Sequence, residues 1–219
     1  MVSDVLHSPS RQKPTPALTN ANSRDFAGKR FFDIVFALFV TIFILSWLIP
    51  LMSLLIYSTS PGPALFVQWR TGHNRRHFQC LKFRTMHHQP DDPFRQATRN
   101  DHRVTRIGSY LRRTNLDEMP QFLNVLMGDM SVVGPRPHAV QHDAEHWCLQ
   151  GYSERYRIRP GITGLAQVRG CRGETSEQIR MKHRLRYDCY YIKNATFWLD
   201  LRICWCTLKQ MVRGNLNAW

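Results

Sequence analysis

RIGSYLRRTNLDEMPQFLNVLMGDMSVVGPRP, residues 106–137, is the stretch from which the rest of the chain is read. Adjacent carboxylates, Asp117 and Glu118, follow a basic pair, Arg112 and Arg113, and the stretch closes on a rigid basic turn, Pro135-Arg136-Pro137. Thr114 or Asn115 is the expected N-cap of a helix whose first turn carries both carboxylates. Pro120 is tolerated there because first-turn N–H groups have no intrahelical partner. Leu116, Met119, Leu123, Leu126 and Met127 fall at helical spacing, and Gly128 stops the helix. The carboxylates thereby sit where the helix dipole favours negative charge. Acids in a first turn are ordinary capping. The nearby cations add a second reading, because phosphate chemistry needs cations for phosphate oxygens and an anion that attacks or holds a metal. Aspartate is a known nucleophile toward phosphorus.

The 219 residues allow one moderate core, so one domain with appendages is expected. Lys and Arg total 30 against 16 Asp and Glu, a formal charge of +14. That excess calls for an anionic partner: nucleic acid, an anionic lipid surface or a phosphorylated substrate. The six cysteines include no C-x-x-C pair, which points to reduced thiols and away from a zinc site. No secretory signal peptide and no internal repeat is evident.

Residues 1–25, rich in Ser, Pro, Thr and Asn, read as a disordered lead. A membrane segment is expected over 26–59. Its apolar run, Phe31 to Tyr57, would measure roughly 40 Å as a straight helix, enough to cross a bilayer. Two features oppose a simple crossing. Lys29 and Arg30 precede the run and Arg70, Arg75, Arg76, Lys82 and Arg84 follow it, so the positive-inside rule draws both ends to the cytoplasm. Pro50 also lacks the N–H that would bond the Ser46 carbonyl, so Ser46 and Pro50 mark the expected break. Asp33 reads equally as an ion-paired anchor or a helix-start carboxylate.

Beyond the turn Ser60-Pro-Gly-Pro63, residues 60–219 form the expected second domain. Short strands are predicted over Ala64–Trp69 and Phe78–Phe83, the second carrying Lys82 and Arg84 outward or into a cleft. His87-His88 and Asp91-Asp92 have no recognised ligand spacing. Helices are expected over Gln141–Leu149 and Glu154–Ile158. His138, His142 and His146 read as a solvated helix face rather than a ligand set. The turn at 159–164, RPGITG, lies near Arg155, Arg157, Arg159, Arg169 and Arg172 and suits a phosphate or nucleotide. A basic helix is predicted over Glu177–Ile192. Phe197, Trp198, Leu201, Trp205, Leu208 and Val212 then form a stripe, either interfacial and amphipathic or packed in the core.

Six separated motifs carry a family resemblance: KRFFDI at 29–34, SPGPALFVQWRTG at 60–72, LKFRTM at 81–86, the Asp117-Glu118 stretch, VVGPRP at 132–137 and RPGITGLAQV at 159–168. In this order they resemble the bacterial sugar transferase family, the monotopic phosphoglycosyl transferases. The resemblance implies an α/β fold, rich in helix with short strands, and a re-entrant helix-break-helix that enters and leaves by the cytoplasmic face. Some members carry Ser-Pro at the break, where Ser46 here precedes Trp47. It further implies transfer of a sugar-1-phosphate from a UDP-sugar to undecaprenyl phosphate, with UMP released, in surface-glycan synthesis at the bacterial inner membrane. Asp117 would be the nucleophile, and Asp117 and Glu118 would hold Mg²⁺. Lys82, Arg84, Arg112, Arg136, Arg169 and Arg172 would bind phosphate. Inner-leaflet anionic lipids are expected partners and nucleic acid is not; a homodimer is compatible with the family. QVRGCRGET, from Gln167, resembles a subgroup that transfers glucose-1-phosphate, although Arg169 and Cys171 depart from its usual Asn and aromatic. The competing reading is a membrane-tethered basic protein without catalysis, which leaves the carboxylate pair and Arg136 unexplained.

Overall fold

The computed structural model describes residues 28–88, 97–98, 101–171 and 178–213. The expected lead over 1–25, Asp91-Asp92 and Arg172 lie outside these residues. The architecture is rich in helix with short strands, as the sequence predicts.

Helix α1 (Lys29–Val40) runs through a π-helical segment, Thr41–Leu45, into α2 (Ser46–Thr59). The helical path is therefore continuous across Ser46 and Pro50, and the irregularity sits one turn ahead of the proline. Side chains bond back to carbonyls in the widened turn: Ser46 Oγ donates to the Ile42 carbonyl at 2.7 Å and Trp47 Nε1 to that of Phe43 at 2.9 Å. The wide turn also keeps one stripe in phase. Asp33, Ala37 and Val40 are buried before it and Leu45, Leu48 and Ile56 after it, while Phe31, Val35, Phe43, Trp47 and Leu54 face outward.

Both ends of this long helix are tied to the same globular body. At its start, Lys29 Nζ meets Asp200 Oδ2 at 2.6 Å, and the Tyr191 hydroxyl donates to Asp200 Oδ1 at 2.6 Å. Asp33 accepts the Val132 N–H at 3.0 Å, so the acid anchors backbone while Lys29 makes the ion pair. Arg30 donates to the Val125 carbonyl at 2.8 Å. At its end, Arg84 Nη2 donates to the Ser60 carbonyl at 2.6 Å and Nη1 to that of Pro61.

Strands β1 (Leu65–Thr71) and β2 (His77–Phe83) form an antiparallel hairpin in which Phe66 faces Lys82, Gln68 faces Cys80 and Arg70 faces Phe78. Helix α3 (Arg106–Thr114) starts at Thr105, whose hydroxyl accepts the Gly108 N–H at 2.9 Å. It ends at Asn115, left-handed at φ 59°. The expected helix start at 114–115 is thus a helix end. Leu116–Glu118 forms a single 3₁₀ turn, and α4 (Gln121–Met127) follows Pro120 and stops at Gly128, φ 95°. The proline explains this division. It has no N–H for the Leu116 carbonyl, which bonds the Met119 N–H at 3.2 Å instead.

Strand β3 (Ser131–Val133) pairs in parallel with β4 (Gly161–Thr163). A Cβ on Gly161 would lie 2.0 Å from the Gly134 nitrogen, so glycine is required where the two segments cross. Helices α5 (Val140–His146), α6 (Leu165–Val168), α7 (Gln178–Asn194) and α8 (Phe197–Arg213) complete the chain, with a 3₁₀ segment at Tyr152–Arg157. The core joins Leu45 and Leu48 to Phe83, Leu111, Val125, Val133, Tyr191 and Ile203. On α8, Trp198 is 77% and Trp205 68% exposed, which removes the core-packing reading for most of that stripe.

Candidate active site

The hairpin register decides which side chains face the carboxylates. Alternation places Gln68, Arg70, Cys80 and Lys82 on one face. Asn124 then docks α4 on the edge of β2: its Oδ1 accepts the Leu81 N–H at 3.0 Å, and its Nδ2 donates to the Gln79 carbonyl at 2.7 Å. Asn124 is fully buried and substitutes for a neighbouring strand. The 3₁₀ turn preceding α4 is thereby held over the basic face of the hairpin.

Asp117 and Glu118 are both buried, at 7% and 4% exposure. Glu118 Oε1 lies 3.0 Å from Lys82 Nζ. Arg136 grips the same carboxylate in a fork, with Nη1 at 2.9 Å from Oε2 and Nη2 on Oε1. Burial works against the Arg136 charge, but Glu118 and Asp117 outweigh it and hold the guanidinium protonated above its usual range. Burial lowers Lys82, with Arg70 and Arg136 acting in the same direction against Glu118 and Asp117. Arg112 Nε donates to Thr85 Oγ1 at 2.9 Å. Burial lowers Arg112 too, opposed chiefly by Asp117. Lys82 and Arg136 thus contact Glu118 directly, and Arg112 lies within the electrostatic reach of Asp117.

Arg84 does not join them. Its two terminal nitrogens are taken by the carbonyls of Ser60 and Pro61, and burial lowers it. Arg169 is exposed and lines a separate groove between α6, α7 and α8. The arginines around RPGITG disperse likewise. Arg157 pairs with Glu154 at 2.6 Å, Arg159 bonds the Gly128 carbonyl at 3.0 Å, and Arg155 is buried. The glycines of that motif serve the β3–β4 crossing.

Arg70, absent from the predicted site, belongs to it. Its Nη1 donates to the Pro137 carbonyl at 2.8 Å and its Nη2 to Gln68 Oε1 at 3.0 Å. Burial and the neighbouring Arg136 lower it, against Glu118 and Asp117. The hairpin register, rather than any pattern within one strand, sets it on the same face as Lys82. Arg155 supports the site from behind, donating to the Arg136 carbonyl at 2.6 Å while pairing with Asp188 at 2.9 Å. Arg184, beside Arg155, is pushed down to about 10 by burial and by that like charge.

His138 and His146 are buried, correcting the solvated-face expectation; the side chain of His142 lies outside the described residues. His138 packs into a polar network in which Nδ1 is 2.7 Å from the Tyr152 hydroxyl, which donates to Asp143 at 2.6 Å. The network braces the segment after Arg136. Among the described residues, no group of three or more His, Cys, Asp or Glu converges as a metal site. Both Glu118 oxygens are engaged by Lys82 and Arg136, so a hard cation such as Mg²⁺, which takes one or two carboxylates and completes its shell with phosphate and water, would have to share Glu118 with them.

A family model described as bacterial sugar transferase matches residues 24–214. The UDP-glucose:undecaprenyl-phosphate glucose-1-phosphate transferase of Klebsiella pneumoniae is 46% identical over 198 residues, covering 90% of this chain and 42% of that protein. The Caulobacter vibrioides protein of the same name is 48% identical over 193 residues, 87% of this chain and 72% of its own length. The exopolysaccharide production protein PSS of Rhizobium leguminosarum bv. phaseoli is 43% identical over 198 residues, 87% of this chain and 98% of that protein. The chain thus spans about two fifths of the Klebsiella relative and nearly all of the Rhizobium one.

Proposed function

The chain belongs to the bacterial sugar transferase family, and on that premise we propose that it transfers glucose-1-phosphate from UDP-glucose to undecaprenyl phosphate, releasing UMP. One observation carries the chemistry: a buried Asp117–Glu118 pair set against Lys82, Arg112, Arg136 and Arg70. Two anionic substrates must approach an anionic nucleophile, which requires such a cationic surround.

In this reading Asp117 attacks the β-phosphorus of the nucleotide sugar. The bond from that phosphorus to the bridging oxygen breaks, and its electron pair leaves on UMP. The resulting phosphosugar–aspartyl bond is then attacked by a phosphate oxygen of the polyprenyl phosphate, and the Asp117 carboxylate is restored. Lys82 and Arg136 fix Glu118 beside it, and Arg112 and Arg70 draw phosphate oxygens into the site. Asp117 and Glu118 would hold Mg²⁺, which supplies charge neutralisation at the diphosphate. The relatives' names and the resemblance of the stretch from Gln167 support glucose as the sugar.

The membrane arrangement proposed is re-entrant, on the cytoplasmic face of the inner membrane. It is supported by the polar ties at both ends of the α1–α2 helix to one globular body, and by the cations flanking the run. A bilayer-spanning helix leaves its two ends on opposite sides.

The test is UMP release from a panel of UDP-sugars with undecaprenyl phosphate and Mg²⁺, comparing the parent with Asp117→Asn. Release from UDP-glucose that falls roughly 10⁴-fold or more in the variant is expected. Equal release by both proteins removes Asp117 as nucleophile, and no release from any donor by folded parent protein sinks the transferase reading.

A further inference from the structure

A groove of about 680 Å³ opens between α6, α7 and α8, away from the carboxylate pair. This size suits a ligand rather than a packing defect. Its floor is apolar, formed by Val168, Leu199 and Ile203. Each of the three helices contributes an arginine to the lining: Arg169 at the end of α6, Arg186 from α7 and Arg202 from α8. Among the described residues, no carboxylate lines it. An apolar floor beneath several cations is complementary to an amphiphile with an anionic head.

The groove's position says which amphiphile. Along α8, Leu199, Arg202, Ile203 and Cys206 face the groove, and the exposed stripe of Trp198, Leu201, Trp205 and Leu208 lies on the adjoining face. Tryptophans beside arginines suit the headgroup boundary of a bilayer, and in the proposed membrane arrangement the groove would open near the phospholipid phosphates. The reacting polyprenyl phosphate has to bring its phosphate to Asp117. None of Asp117, Glu118, Lys82, Arg112 or Arg136 lines the groove. A lipid held here is a bystander to the chemistry.

We propose that this groove binds one anionic phospholipid, with an acyl chain over Leu199 and Ile203 and its phosphate between Arg186 and Arg202. The bound lipid fixes the angle at which α7 and α8 rest on the membrane. This inference rests on the membrane-facing part of the proposed function.

The experiment uses the full chain in neutral-detergent micelles doped with equal phosphatidylglycerol and phosphatidylcholine, read by native mass spectrometry, with vesicle flotation in parallel. One retained phosphatidylglycerol adduct per chain is expected. Its apparent affinity should fall about tenfold or more in Arg186→Gln/Arg202→Gln and, independently, in Cys206→Trp, which fills the groove without touching its charges. Flotation of all three proteins should persist through the α1–α2 segment. No adduct, an equal phosphatidylcholine adduct, or adducts unchanged in both variants overturns the proposal. Displacement one-for-one by undecaprenyl phosphate reassigns the groove to the acceptor and also overturns it. So does a lipid-free dimer that Cys206→Trp dissociates. A parent that fails to float removes the membrane reading itself, whereas floating variants that keep the adduct remove only this inference.

Discussion

Glu118 is the hinge of the site at the level of single residues, because it neutralises two cations at once. Removing its charge leaves the half-buried Lys82 and Arg136 side by side without their partner. Glu118→Gln should lower stability by about 3 kcal/mol or more, read as a fall in melting temperature. Adding Lys82→Met to that variant should restore part of the loss, since it removes one of the stranded charges; contacting residues couple by about 0.5–3 kcal/mol. A strictly additive double variant would mean that the Lys82–Glu118 pair contributes nothing in solution. Asp117, Glu118, Arg112 and Arg136 stand out in the sequence through local charge contrast and a rigid proline turn, whereas Lys82 is singled out only by the resemblance of its motif. Arg70 was not legible as a site residue, since its place depends on a pairing register that puts it on the same hairpin face as Lys82. Arg84 was misleading for a related reason. It stands in the same motif as Lys82, yet lies beyond the strand end at Phe83, where its guanidinium closes the turn after α2.

Elements meet at the site through backbone groups, and Asn124 is the clearest case. Its amide supplies one acceptor and one donor to the edge of β2, so the helix docks as a further strand would. Asn124→Ala leaves the Leu81 N–H and Gln79 carbonyl unsatisfied against an apolar wall. The expected cost is about 2–4 kcal/mol in chemical denaturation. UMP release should fall with it, because α4 carries the preceding Asp117–Glu118 turn. Unchanged stability would show that water or a shifted α4 satisfies the strand edge. Sequence periodicity located this helix and its Gly128 stop but placed its start too early. The pattern of apolar residues runs through Leu116 and Met119, whereas the missing Pro120 N–H forces a 3₁₀ turn before the regular helix begins. The irregularity in the apolar run likewise lies upstream of the proline that signals it. Proline marks where a hydrogen bond is lost, while the chain adjusts in the π turn upstream, where Ser46 and Trp47 can reach the Ile42 and Phe43 carbonyls.

The whole molecule combines a +14 charge with a long helix whose outer face is apolar and whose two ends belong to one body. In the proposed arrangement, charge draws such a body to an anionic leaflet and the outer face of α1–α2 enters the hydrocarbon. For the helix to cross instead, one end would have to leave the domain. Releasing the start breaks the buried Lys29–Asp200 pair, at 3% and 0% exposure, and the Asp33–Val132 bond, at a cost of about 3–5 kcal/mol for the ion pair alone. Releasing the end frees the Ser60 and Pro61 carbonyls from Arg84 and exposes Ile56. Neither rupture has an offsetting contact on the far side of a bilayer. Cysteines introduced singly at Phe31 and Thr59, both exposed, provide the test in a background whose accessible native cysteines, Cys148, Cys171, Cys189, Cys204 and Cys206, are replaced by serine. A membrane-impermeant maleimide should label both in inverted inner-membrane vesicles and neither in intact spheroplasts. Labelling of one end from outside the spheroplasts would establish a crossing helix and would mean that the polar ties at that end do not survive insertion.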